Sequence, residues 1–201
     1  MGHQSVSCCC FGSIGDRTAP SANIKSRPKK PGVLIISVSL AYKTRRIDFG
    51  DGEKLAITIP WGDVSTAYAT TGIPNIEVYI PGSPAMVAWL RRVNRFKWLI
   101  GTGLAQRYMK RRIEKTVKGP SAAKRDAHPT FVWGEVTNSR GDQRTARIKT
   151  ANGYSLTVTG ALAVAEHLLA NNAPGGVYTP AKLMGPDLVT HLPGSGPIKM
   201  A

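Results

Sequence analysis

Arg46-Ile47-Asp48-Phe49-Gly50-Asp51-Gly52 and, directly after it, Glu53-Lys54-Leu55-Ala56-Ile57-Thr58-Ile59 decide the fold class. The stretch reads as two short strands, 46–49 and 55–59, on either side of Asp51-Gly52. An Asp-Gly pair supplies the positive φ angles that a tight hairpin requires. Further on, Asn75-Ile76-Glu77-Val78-Tyr79-Ile80 alternates polar and apolar residues and reads as a third strand, stopped by Pro81-Gly82. The chain therefore opens its structured part with antiparallel β-structure.

Helices follow. Ser83 before Pro84 places a hydroxyl N-cap ahead of a proline at the first helical position. Met86, Trp89, Leu90, Val93, Phe96 and Ile100 then recur at three- and four-residue steps as an apolar stripe, with Arg91, Arg92 and Arg95 off it. Gly101-Thr102-Gly103 ends this helix. A second begins near Leu104, carries Tyr108, Ile113 and Val117 on a weaker stripe opposite a basic face, and stops at Gly119-Pro120. Beyond a polar loop, 131–136, 144–149 and 154–158 read as three strands of an antiparallel meander. Ser139-Arg140-Gly141-Asp142 and Asn152-Gly153 supply its turns. Residues 161–170 are helical by composition, and Thr179-Pro180 caps a last short helix broken at Gly185-Pro186. Strands grouped apart from helices give an α+β class, an antiparallel or mixed sheet with segregated amphipathic helices.

Upstream of the hairpin, Val33-Leu34-Ile35-Ile36-Ser37-Val38 is rich in β-branched residues and reads as a strand. Residues 1 to about 32 are dominated by Gly, Ser, Pro and Lys without hydrophobic period and read as a disordered tail. The expected division is a tail-like segment over 1–38 and an α+β domain over 39–201.

The 201 residues include 27 Lys and Arg against 12 Asp and Glu, a formal net charge of +15. Attraction to polyanions follows, whether anionic lipid, nucleic acid or phosphate-bearing ligands. Cations concentrate between Arg17 and Arg46 and again between Arg91 and Lys118, where Glu114 stands against Arg91, Arg92, Arg95, Arg107, Lys110, Arg111 and Arg112. Cys8, Cys9 and Cys10 are the three cysteines; neighbours of this kind rarely close a structural disulfide, which favours a reducing compartment and a cytoplasmic or membrane-peripheral location. The start resembles a lipidation signal but has Val6 where Ser or Thr is required. No apolar run reaches the roughly 18 residues of a membrane-spanning helix.

Three segments resemble the carboxy-terminal region of the saccharopine dehydrogenase-like oxidoreductases, a family that includes trans-acting enoyl reductases. The first is Ile47-Asp48-Phe49-Gly50-Asp51-Gly52, followed by Ile59-Pro60-Trp61-Gly62-Asp63-Val64-Ser65-Thr66-Ala67-Tyr68 and by Thr71-Gly72-Ile73-Pro74-Asn75-Ile76-Glu77-Val78-Tyr79. The second joins Gly119-Pro120-Ser121, Val132-Trp133-Gly134-Glu135 and Gly153-Tyr154. The third is Gly175-Gly176-Val177-Tyr178-Thr179-Pro180-Ala181. Their order and spacing cover about 39–192. The resemblance implies a two-part enzyme: an amino-terminal Rossmann domain that binds NAD(P), and a second α+β domain that helps to enclose the substrate and contributes to dimerisation. It further implies that the end of the chain returns to the Rossmann domain, and that Trp61, Asp63, Ser65, Thr66 and Tyr68 line the substrate side.

The sequence departs from that pattern in its first 38 residues, which are too few for a Rossmann unit and resemble read-through or mis-spliced sequence. Gly101-Thr102-Gly103 lacks the third glycine of a dinucleotide fingerprint and follows a helix, and Gly194-Ser195-Gly196 has no helix after it; both read as turns. No cofactor is expected for this chain alone, and no catalytic residue is assigned. His3, His128, His167 and His191 have no partners at metal-ligand spacing, so no metal site is expected. The primary expectation is thus the substrate-side half of an NAD(P)-dependent oxidoreductase, inactive alone, completed by a Rossmann domain or a second copy. The alternative is a non-catalytic basic module that meets an anionic membrane surface or a partner through residues 83–118. Trp89, Phe96, Trp98 and Tyr108 interleave with cations there, as in membrane-surface helices. Nucleic acid is the least supported partner, since no nucleic-acid-binding motif accompanies the charge.

Overall fold

Residues 5–11, 23–28, 33–59, 61–95, 103, 107–108, 110–112 and 128–201 are described by the structure, a computed structural model. The central hairpin is as expected. Strands β4 (Thr44–Asp48) and β5 (Glu53–Thr58) pair antiparallel, Asp48 opposite Glu53. Gly50 and Gly52, at φ 104° and 109°, take the left-handed positions of the loop, which L side chains adopt only under strain. Strand β6 (Asn75–Pro81) adds antiparallel to β5, with Thr58 opposite Tyr79. Its residues 76–80 are all buried, so Glu77 and Tyr79 belong to the interior, and the polar–apolar alternation of this strand does not mark a solvent face.

Strand β1 (Ser5–Phe11) runs parallel to β6 and antiparallel to β7 (Thr130–Thr137). β8 (Gln143–Thr150) and β9 (Lys199–Met200) continue the sheet, whose order is β4-β5-β6-β1-β7-β8-β9. Two antiparallel ribbons of three strands are therefore joined through β1. The α+β class read from the sequence is the observed one. Within 1–38, the strand read over Val33–Val38 is present as β3, and two further strands stand where a tail was expected: β1, and β2 (Asn23–Pro28), which pairs antiparallel with β3 apart from the main sheet. The Gly-, Pro- and Lys-rich surroundings obscure Ser5-Val6-Ser7-Cys8-Cys9-Cys10-Phe11, an uncharged run with β-formers that the sheet recruits by backbone pairing.

The sheet is strongly rolled. β4 and β7 stand four places apart in strand order, about 19 Å if the sheet were flat. Yet the Arg45 guanidinium on β4 meets the Glu135 carboxylate on β7 at 2.7 Å, and Arg147 Nε on β8 donates to the Asp48 carbonyl at 2.8 Å. Rolling brings Ile47, Phe49, Ala56, Tyr79 and Trp133 into one buried cluster on the inner face, with Phe131 against it.

Helices cover the outer face. α1 (Asp63–Thr71) buries Val64 against Ile76 and Val78. It ends at Gly72 in the left-handed conformation, whose N–H donates to the Tyr68 carbonyl, a common helix stop. The segment after Trp61 is thus helical, with Gly62 at its N-cap. α2 (Pro84–Arg95) starts as expected, Ser83 Oγ accepting from the Met86 N–H at 3.1 Å. Its buried face is shifted from the expected stripe. Val87 and Leu90 pack on Leu40, Ala41, Ile57 and Ile80, whereas Met86 and Trp89 are exposed. Asn94 explains the shift: its side-chain amide accepts the Leu40 N–H and donates to the Leu40 carbonyl, at 3.1 and 2.8 Å, so a polar residue holds part of the inward face. Phe96 and Ile100 of that stripe, the interleaved Trp98, and Ile113 and Val117 of the next stripe lie outside the described residues; Gly103, Arg107, Tyr108, Lys110, Arg111 and Arg112 are helical.

The expected strand over 154–158 is a helix. α3 (Gly153–Ala170) begins at Asn152, whose Oδ1 accepts the Tyr154 N–H at 3.1 Å while its Nδ2 donates to the His128 carbonyl. The β-branched content of Tyr154-Ser155-Leu156-Thr157-Val158 yields to this cap and to the Ala- and Leu-rich run that follows. The place beside β8 goes instead to β9, with paired backbone bonds between Thr145 and Ala201. Thr179 caps α4 (Pro180–Met184), and α5 (Leu188–His191) follows the break at Gly185. None of α3, α4 and α5 has a buried residue.

Candidate functional site

Among the described residues, Glu77 and Glu135 are the two buried carboxylates, and both lie on the inner face. Both are register partners of Ser7 on β1, one from each side, so they occupy one row across three strands. Each is fully engaged. Glu77 accepts from the Tyr42 hydroxyl at 2.6 Å, the Lys43 ammonium at 2.7 Å and the Tyr79 hydroxyl at 2.7 Å. Glu135 takes both Nη groups of Arg45 at 2.7 Å, a bidentate pair, and the Arg45 guanidinium lies 5.1 Å from the Trp133 ring centroid. Charge-assisted bonds of this planar kind are strong and fix orientation as well as energy.

Burial raises the Tyr79 phenol far above its ordinary value, and the hydrogen bond to Glu77 adds to the effect; the group is a neutral donor throughout the physiological range. The cations differ from the acids in exposure. Lys43 is 52% and Arg45 38% exposed, against 10% and 9% for the side chains of Glu77 and Glu135. Lys43 and Arg45, two residues apart, are partly exposed cations, each held by a buried carboxylate. Through these bonds the two acids hold the cations in place, so the geometry of the cluster is that of ion-pair anchoring.

This cluster was not singled out in the sequence, although a signal exists: an acidic residue inside an otherwise apolar strand, as in Ile76-Glu77-Val78 and Gly134-Glu135-Val136, must find a partner if the strand is buried. The residues expected on the substrate side do not converge on it. Trp61, Ser65 and Thr66 are exposed at the start of α1, and Tyr68 is partly buried against the Val64 cluster. The Asp63 carboxyl is raised by desolvation. Arg91, Arg92, Arg95, Arg107, Lys110, Arg111 and Arg112 are all exposed.

The described glycines of the two turns, Gly103 and Gly194, do not form a phosphate cradle. Gly103 is helical, and the Gly194 turn is filled from within: a Cβ there would meet that of Ala151 at 2.9 Å. The chain continues from it into β9, not into a phosphate-binding helix. No group of three or more His, Cys, Asp or Glu residues is gathered around a possible metal position among the described residues, and no described helix is long and apolar enough to cross a membrane. No protein-family model matches the chain, and no curated protein sequence matches it.

Proposed function

We propose that this chain is the substrate-side α+β half of an NAD(P)-dependent oxidoreductase of the saccharopine dehydrogenase-like kind, dependent on a nucleotide-binding domain for hydride transfer. The observation that carries the reading is the arm formed by α3, α4 and α5. α3 runs for 18 residues with Glu166 as its one carboxylate and no Lys or Arg, yet buries none of them. Tyr154, Val158, Leu162 and Leu169 share one exposed face, and Val177 beyond the helix is fully exposed. An apolar surface of this extent calls for a partner, and a returning end that docks on a nucleotide-binding domain supplies one.

The buried cluster supports the same reading. Glu77 and Tyr79 come from one resembling segment, Trp133 and Glu135 from another, and the rolled sheet brings them to one interior, where Lys43 and Arg45 bind the two carboxylates. In this reading the chain encloses and orients substrate, while the cofactor supplies the reacting hydride. Calorimetric titration of the purified chain with NADPH and with NADH tests it. The expected result is no saturable binding; micromolar affinity would place a nucleotide site on this chain and overturn the division of labour.

A further inference from the structure

We infer that the exposed face of α2 is a docking surface for an anionic lipid bilayer. The inference is independent of the oxidoreductase reading, since α2 lies on the outer face of the sheet, away from the inner carboxylate cluster.

α2 is anchored by Val87, Leu90 and the Asn94–Leu40 pairing. Turned furthest from those residues are Ala85, Ala88, Trp89 and Arg92, flanked by Arg91 and Arg95, and all of them are exposed. Trp89 is 55% exposed, and Met86 beside it is exposed as well. The surface therefore combines an apolar first half with a cationic second half along a helix of about 18 Å. In sequence no carboxylate interrupts this cationic stretch: between Glu77, committed to the buried cluster, and Glu114 there is no Asp or Glu. The arginines at the end of α2 also suit the negative end of the helix dipole, but that effect gives no reason for an indole to be left in water one turn earlier.

Charge complementarity selects a polyanion, and the apolar half selects which one. A phosphate-rich surface without an apolar layer would satisfy Arg91, Arg92 and Arg95 and leave Met86, Ala85 and Trp89 wet. A bilayer interface takes both, headgroups meeting the guanidinium groups and the indole lying at the acyl boundary.

The test is co-sedimentation of the full chain with mixed phosphatidylcholine–phosphatidylglycerol vesicles and with phosphatidylcholine vesicles, at low and high salt. The expected result is binding to the anionic vesicles alone, reversed by salt. Replacing Arg91, Arg92 and Arg95 together by Gln should weaken partitioning about 100-fold, at the usual contribution of a basic residue near a charged membrane. Trp89→Ala should weaken it about tenfold through lost apolar insertion. A variant with the same charge change elsewhere, Arg140→Gln/Arg144→Gln/Lys182→Gln, should bind as the parent does. Equal binding to neutral vesicles, an unaffected arginine variant, or an equal loss in the control variant would overturn the proposal. So would duplex DNA that displaces the vesicles and depends on the arginines but not on Trp89, which would identify a nucleic-acid surface.

Discussion

Asp48 shows how much a single exposed carboxylate can do in this chain. Its Oδ1 accepts the N–H groups of Gly50 and Gly52, and Arg147 lies at 3.7 Å from its other oxygen. The Gly50 N–H, with help from Arg147 and Gly52, holds this carboxyl below its ordinary value. A depressed folded-state value means stability that is present above the unfolded pKa and lost as pH falls through the folded one. Asp48→Ala should therefore lower the melting temperature at neutral pH. The gap to the parent should narrow as acid protonates the parent's carboxylate, and thermal melts across neutral to strongly acidic pH measure it. A gap that stayed constant would assign the loss to the loop backbone alone. At this scale the sequence was legible in the hairpin, where Asp51-Gly52 pointed to a turn, but not in the cluster. Glu77 and Glu135 sit 58 positions apart, and their common neighbour Ser7 lies in a segment whose pairing only the assembled sheet reveals.

At the scale of elements, agreement followed the strength of local signals. Ser83-Pro84 and Thr179-Pro180 name their helix starts because capping is a local hydrogen-bonding matter. The phase of α2 and the nature of 154–158 were harder. Asn94 occupies an inward position by bonding the Leu40 backbone, which no hydrophobic period reports. Asn152-Gly153 is equally good as a hairpin turn and as a helix cap, and the choice depends on what the Asn side chain can reach. Here it reaches both the Tyr154 N–H and the His128 carbonyl, and Asn152 is itself buried. Asn152→Ala should thus remove both the cap and the hydrogen bond to the His128 carbonyl, a loss of about 1–2 kcal/mol. Urea denaturation measures the stability, and far-ultraviolet circular dichroism should show reduced helicity. Unchanged stability would mean that α3 is fixed by contacts other than its cap.

For the whole molecule, the class was legible because hairpins and amphipathic helices announce themselves locally, whereas the sheet's order was not. A parallel neighbour such as β1 for β6 is separated from it by most of the hairpin region, and sequence periodicity has nothing to say about such distant pairing. The rolled sheet satisfies its own inner face and, through α1 and α2, part of its outer one. The arm is the part of the fold left open. Leu162 and Leu169 are 57% and 89% exposed, and Gln at both positions would keep helix propensity while removing the apolar edge. If that edge awaits a separate domain, Leu162→Gln/Leu169→Gln should leave the melting temperature nearly unchanged, within the usual range of about 0.5 kcal/mol for surface changes. The same variant should reduce binding of a hydrophobic dye and self-association at high concentration. If the edge is instead covered within the chain, the two leucines are core residues, and the variant should lose roughly 2–5 kcal/mol for each of them. Thermal melts and dye titrations on the same samples separate the two, because a docking face lowers dye binding without lowering stability, and a core contact does the reverse.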